Sequence, residues 1–425
     1  MGLGYYWRYA SIASIMNLVP IDINTIRLNW PLPFSLRTED GTLLAPKGYT
    51  IERRFQLDTM VMQRGKLFID INDSESHHRD YMSRLHSMVY QDRELGKIAE
   101  ASVEPITNHG LRIKEITTEV NWFDLQDQAH STLRDVQSPE FLQRLEKLKG
   151  ELLRQVRLNP DNTLFALIHL AATELRRYSA THAMLVGVVC VVAAQDVLKW
   201  ADEDIHILLN ASLTMNIGMT ELHDRLASQM EAPNAEQILT IRSHPERSRD
   251  ILLSLGIENS GWLEAVVGHR STLSGPLGQR AIGERMARLV HRADIFAARL
   301  SPRASRPSDS PTSAIQSCYF DENRQMDEAG AAVIKAVGVY SPGTFVKLAN
   351  NEIAVVVRRG LNTTMPKVAV LINRHGMLIG EPILRETSHP EFRIVGSLPH
   401  RDVKVNHNFE RLLALTKQSS QDRLW

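Results

Sequence analysis

Ala211-Ser-Leu-Thr-Met-Asn-Ile-Gly-Met-Thr-Glu-Leu-His-Asp224 is the stretch on which the reading of this chain turns. It lies in a block, from residue 159 to about residue 336, where apolar residues recur at helical spacing; residues 169–200 and 281–300 are the clearest long periodic segments. The longest apolar run, residues 183–194, falls short of the roughly 20 residues that cross a bilayer and reads as a buried core helix. Inside this apolar setting Met215 and Asn216 precede the pair Ile217-Gly218, and the character of that quartet decides what the chain can do.

Outward from the block, the texture changes twice. From Ile21 to Asp73 short extended segments are broken by Pro31, Pro33 and Pro46-Lys-Gly48, and alternation around Asp40-Gly41 predicts a hairpin. Leu67-Phe-Ile-Asp-Ile71 adds a strand, so residues 1–75 form a small β-rich domain. Residues 76–158 are rich in helix formers and charge, with Phe141, Leu142, Leu145, Leu148, Leu152 and Leu153 at three- and four-residue spacing, and read as a helical linker. Residues 159–337 form the main helical domain. In residues 338–400, Thr344-Phe-Val-Lys-Leu348 and Ile353-Ala-Val-Val-Val357 flank Asn350-Asn351, a pair that tolerates positive φ, and predict a hairpin in a small β subdomain. Residues 401–425 are a tail. The expected class is mainly α, with β elements before and after.

The chain has 425 residues, 43% hydrophobic and 23% charged, enough for a large core in more than one folding unit. Lys and Arg number 49 against 49 for Asp and Glu, so no net field draws it to nucleic acid or an anionic membrane. Cys190 and Cys318 offer neither a disulfide framework nor zinc-ligand spacing, which fits a reducing cytoplasm. Arg8 and the mildly apolar segment after it make no convincing export signal, so a cytoplasmic location is expected.

Five landmarks in order make the chain resemble the HD-GYP family of metal-dependent phosphohydrolases over about residues 160–380. Tyr178-x-x-x-His182 matches a helix whose His binds metal. Met215-Asn216 falls where the family carries its His-Asp pair, and Met219 where it carries a Lys. His244-Pro245 matches a His-Pro element, Gly268-His269-Arg270 falls on a His-His-Glu element, and Asp294 matches a late Asp ligand. The resemblance implies a helical HD-type domain with its C-terminal β tail, and hydrolysis of cyclic di-GMP by water that iron or manganese activates.

Met is a soft thioether and Asn a neutral amide, and neither replaces imidazole or a bridging carboxylate on a hard divalent cation. Of the ligand set that the resemblance implies, His182 and Asp294 are left for one metal, and His244 and His269 for the other. The loop Ser271-Thr-Leu-Ser-Gly-Pro-Leu-Gly278 lacks the Asp and Tyr of the family's Asp-Gly-x-Gly-Tyr-Pro. His223-Asp224 spells the missing dipeptide eight residues late, with His223 at the family's Pro position, and reads as lying outside the site. A hydrogen bond between His182 and Asp294 is the non-metal arrangement these residues suggest.

Arg299, Arg303 and Arg306 match a segment whose basic side chains reach ligand phosphates, and Arg270 adds a positive charge where metal charge would stand. These are the candidate nucleotide-phosphate contacts; three arginines among Ser and Pro equally suit a solvated loop. The expectation is a disarmed signalling regulator or receptor in cyclic di-GMP signalling, acting through a protein partner, with a homodimer also in view and no cofactor needed. The alternatives are an active phosphodiesterase with a rearranged metal site, and a structural module whose pocket is filled by Met215, Met219 and Leu273.

Overall fold

The computed structural model describes residues 18–20, 26, 32, 35–46, 48–51, 56–57, 60–61, 66–70, 120–271, 275–360, 362–403 and 409–417. Leu273 and the linker residues 76–119 lie outside the described residues. The chain divides into two compact units, Met1–Asp124 and Leu125–Trp425.

The first unit holds an antiparallel sheet in the order β1-β4-β2-β3, built from β1 (Leu18–Pro20), β2 (Leu36–Arg37), β3 (Leu43–Ala45) and β4 (Phe68–Asp70). The hairpin at Asp40-Gly41 forms as its sequence predicts. Gly41 takes φ 85° and donates its N–H to Thr38 O at 3.0 Å, a backbone state that suits glycine. Leu36, Ala45, Ile51, Leu57 and Leu67 close the core beneath the sheet. Arg37, almost fully buried, is neutralised by Asp124.

The second unit is helical, with a sheet after the helices. In chain order it runs through α1 (Trp122–Arg134, whose first residues belong to the first unit), α2 (Phe141–Leu158), α3 (Pro160–Thr173), α4 (Tyr178–Val192), α5 (Asp202–Thr214), α6 (Thr220–Ser228), α7 (Ala235–Ser254), α8 (Ser260–Gly268), α9 (Ile282–Leu300), α10 (Pro311–Tyr319) and α11 (Glu328–Val337). Starts are marked by side-chain caps. Asn159, Asn234, Asn259, Ser310 and Asp327 each accept an N–H from the first turn, and Pro160 and Pro311 occupy first-turn positions where no donor is missed.

Residues 169–200 do not form one helix. The chain is extended at Glu174, whose carboxylate accepts Arg176 N–H at 2.8 Å and so competes with the helical ladder. It re-enters as α4, where Asp224 Oδ1 accepts Ser179 N–H at 2.7 Å. Every residue of α4 is buried, and a π-helical turn, Ala193–Leu198, extends it until Lys199 at φ 56° ends it. Together these 21 residues are long and apolar enough to span a bilayer, longer than the apolar run alone suggests, and 78% of an 18-residue window within them is buried inside the protein.

The C-terminal sheet is antiparallel in the order β8-β7-β6-β5-β9, from β5 (Phe345–Leu348), β6 (Ile353–Arg358), β7 (Lys367–Ile372), β8 (Leu378–Glu386) and β9 (Ile394–Leu398). The turn between β5 and β6 sets Asn351 at φ 69°, as the Asn pair predicts. Alternation sends Phe345, Val355, Val357, Ala369 and Leu371 to one face, against Phe165 of α3, and Val346, Ala354, Val356, Val368 and Val370 to the other. Both faces are covered, which is why these strands read as nearly continuous apolar runs.

Candidate functional site

The site collects at the ends and faces of α4, α6, α7, α8 and α9. α4 carries His182, and its start is fixed by Asp224 on α6. His182 is buried, and its Nε2 lies 2.7 Å from Asp294 Oδ1 of α9. A carboxylate only accepts, so Nε2 carries the proton, and Nδ1 is buried with no partner among the described residues. Burial alone would raise the Asp294 carboxyl, but the hydrogen bond from His182 and the positive charge around it, including that of Arg270, outweigh burial and hold it well below the carboxylate range. Asp294 therefore stays ionised.

A second pair sits beside the first. His244 Nε2 faces His269 Nε2 at 3.1 Å, with both residues buried. Each ring is anchored through its other nitrogen. His244 Nδ1 lies 2.7 Å from Ile241 O, and His269 Nδ1 2.6 Å from Val266 O. The anchoring carbonyls follow from local sequence: Pro245 has no N–H to give Ile241 four residues back, and Val266 lies in the last turn of α8, whose carbonyls lack helical partners. Since carbonyls only accept, both Nδ1 atoms carry protons, and two Nε2 lone pairs face each other. Burial is the main force lowering the proton affinity of both rings, taking His269 down to about 3 with the help of His244.

Met215 and Asn216 occupy the turn after α5, with Met215 fully buried. Ser248 of α7 pins that turn, its hydroxyl donating to Met215 O at 2.9 Å and accepting Gly218 N–H at 2.9 Å. Gly218 is required by this closeness, because a Cβ there would stand 2.8 Å from His244 O and 3.0 Å from Ser248 N. Gly268 is a packing glycine too: a Cβ would lie 2.9 Å from Ala287 Cβ, so α8 and α9 leave no room for an imidazole at that position. Met219 is buried beside Ile217.

The structure brings His223 into the site, contrary to the expectation that it stands aside. Its ring packs edge-on against Tyr178 at 4.9 Å and against His182 at 5.2 Å, because α6 lays that face onto α4. Burial, then the neighbouring His182 and Arg303, push its proton affinity well down. Its neutral ring completes the stack over His182.

The arginine segment divides. Arg303 lies over the Tyr178 ring at 5.2 Å and bonds its hydroxyl at 3.2 Å, and Arg306 Nη2 bonds Ala298 O at 2.5 Å. Arg299 pairs with Asp309 at 3.1 Å but stays 44% exposed, and with Arg270 it lines a cleft of about 370 Å³ that opens over Asp294. Arg303 and Arg306 do not line that cleft. Arg292, His291 and Glu322 also line it, and sequence reading missed Glu322 and His291. Glu322 is shared by buried Arg292 and by buried Arg288, which is not among the lining residues; it is pulled down to about 2 against the opposing effect of burial, and His291 links it to His269 O. Arg288 and Arg292 are one helical turn apart, but Glu322 is some thirty residues away, and no local pattern announces the partnership.

No family model matches this chain, and no curated protein matches it. Among solved structures, a similar chain is a HDG"Y"P protein from Bdellovibrio bacteriovorus, 15% identical, with 75% of this chain and 99% of that chain covered and a TM-score of 0.38.

A divalent cation between His244 and His269 would meet two imidazoles whose spacing one ion about 2.1 Å from each could bridge. Beyond them the donors run short. His182 presents Nε2 to Asp294 rather than outward, Met215 and Asn216 supply no anionic oxygen, and among the described residues no group of three or more His, Cys, Asp or Glu side chains closes around one point. The residues present do not fit a two-metal centre. What the arrangement does offer is a buried, hydrogen-bonded polar core under a cleft lined by arginine and carboxylate.

Proposed function

We propose that this chain is a disarmed regulator of the HD-GYP type, which has kept the helical frame and lost the hydrolytic centre, and which acts in cyclic di-GMP signalling through a protein partner. The observation that carries this reading is the pairing of His182 Nε2 with Asp294 at 2.7 Å, opposite a turn where Met215 and Asn216 stand in place of anionic and imidazole ligands. His182 and Asp294 are committed to each other, and His244 and His269 leave only two imidazole lone pairs, whereas water activation needs coordination positions that these groups do not supply. The reading carries with it a cytoplasmic location and leaves a homodimer as its simplest assembly.

Element analysis of the purified full chain, together with a hydrolysis assay on cyclic di-GMP in added iron or manganese, tests it. The expected result is sub-stoichiometric metal and no turnover. Stoichiometric metal with turnover sinks the reading.

A second reading, an active phosphodiesterase with a rearranged site, is favoured by one observation, the opposed lone pairs of His244 and His269, which attract a cation. On that reading His244→Ala and His269→Ala each abolish turnover, and an inactive parent protein rejects it. Cyclic di-GMP binding separates a receptor from a module that binds nothing small. Calorimetry on the parent and on Arg270→Gln with Arg299→Gln reads whether the arginines at the mouth of the cleft take the phosphates.

A further inference from the structure

Two adjoining clefts border α6, one of about 380 Å³ between α1, Leu175-Arg176 and α6, the other of about 300 Å³ between α1, α6 and α7. They share Arg134, Glu221 and Arg225; Arg176 borders the first and Arg247 the second. Four guanidinium groups thus face two carboxylates in a protein whose formal net charge is zero.

The two carboxylates are committed. Glu221 pairs with Arg134 at 3.1 Å, and Asp224 turns inward to take the Ser179 N–H at 2.7 Å. Arg225 and Arg247 are exposed, and among the described residues no carboxylate lies within ion-pair distance of either. The Arg134–Glu221 pair is itself solvent-exposed, with side chains 43% and 69% accessible, so an incoming anion displaces it at little cost. The wall of the second cleft includes the turn Ile217–Met219 and the first residues of α6, whose helix dipole adds positive potential to that of the side chains.

We propose that these paired clefts bind a phosphate oligoanion of diphosphate size, at a site separate from the histidine centre. Guanidinium forks match phosphate oxygens in pairs, and two concave clefts joined at Arg225 suit a compact anion with two charged groups better than a flat or extended partner. The site has a mechanical reach. The turn it grips is the one Ser248 pins through Met215 and Gly218, and Arg247 lies on α7 one residue from Ser248 and three from His244. Occupancy bears directly on the Met215–Met219 turn beside His244, as an effector would. The proposal does not rest on the function argued above.

Isothermal calorimetry of the full chain with inorganic pyrophosphate tests it, with ADP and an oligoglutamate peptide as further arms. The expected result is saturable pyrophosphate binding below about 1 mM that weakens with salt. It should fall about tenfold or more in Arg225→Gln with Arg247→Gln and stay unchanged in Arg270→Gln with Arg299→Gln. ADP tighter than pyrophosphate assigns the oligoanion to a nucleotide, and equal or weaker ADP to a free ion. The proposal is overturned by absence of saturable binding, by pyrophosphate binding that ignores the Arg225 and Arg247 changes, or by the peptide binding more tightly than pyrophosphate. Both substituted side chains are exposed, so circular dichroism should report an unaltered fold.

Discussion

His244 and His269 meet Nε2 to Nε2 at 3.1 Å, each held by a carbonyl that its own helix leaves unclaimed. For His244 the release of Ile241 O depends on Pro245, since any other residue at 245 would donate its N–H there. Replacing Pro245 by Ala should return that donor to the helix and set it against His244 Nδ1. Nitrogen-15 chemical shifts of the imidazole should then move from a single Nδ1-protonated form to a mixture, while the helix itself is retained. An unchanged tautomer in Pro245→Ala would mean that the carbonyl was not the anchor.

Gly218 is a second place where one atom decides. A methyl group at 218 meets His244 O at 2.8 Å, Arg247 Cβ at 2.9 Å and Ser248 N at 3.0 Å, and two of the three are backbone of α7, which cannot move aside alone. Gly218→Ala should cost about 1–3 kcal/mol in urea unfolding, the usual range for forced overpacking, with the unfolding slope unchanged. A loss of only a few tenths would show that α7 yields and that the Ser248 bridge is soft.

These two sites show what could be read from sequence and what could not. The family resemblance picked out His182, His244, His269 and Asp294, and the structure gathers them into two pairs, one hydrogen-bonded and one with its Nε2 atoms opposed. Pro245 is a local device with a local reason, and such a feature survives in a single sequence, whereas the need for Gly218 comes from the approach of α7. The placement of His223 did not, because its contact with His182 depends on how α6 lies on α4 rather than on spacing along the chain. The same limit hid Glu322, which reaches Arg288 and Arg292 from a turn after α10. The break at Glu174 was missed because Thr173-Glu-Leu-Arg-Arg177 holds neither Gly nor Pro and consists largely of good helix formers, so nothing in the sequence punctuates the two helices.

Asp294 tests the charged half of the site. Among the described residues its carboxylate is the one acceptor of His182 Nε2, and the hydrogen bond is charge-assisted at 2.7 Å. Asp294→Asn keeps the shape and removes the charge, and it should lower stability by about 1.5–3 kcal/mol at neutral pH. Because the folded carboxyl titrates below its unfolded value, the parent's advantage is present above about pH 4 and is lost as the medium is acidified through the folded value. The difference between the parent and Asp294→Asn should therefore narrow on acidification. A gap independent of pH would remove the charge from the account.

The C-terminal sheet carries its own titration. His169 of α3 stacks on Phe409 at 4.9 Å and meets His400 edge-on at 5.8 Å, while His400 Nε2 donates to Gly343 O at 2.9 Å. Burial among these rings pushes His169 down to about 3 and His400 down to about 4. An unfolded imidazole takes its proton near pH 6.5, whereas these two refuse it in the folded chain. The unfolded state therefore binds more protons between about pH 6.5 and 4, so their contribution is complete above that window and drains away as pH falls through it. Each contributes a slope of up to about 1.4 kcal/mol per pH unit, added to that of the buried site histidines, whose proton affinity is lowered in the same sense. His169→Leu should flatten the decline of unfolding free energy between about pH 6 and pH 4.5 by one proton's worth, read from urea titrations at a series of pH values. A slope equal to the parent's would mean that His169 is protonated in the folded chain, which its ring contacts oppose.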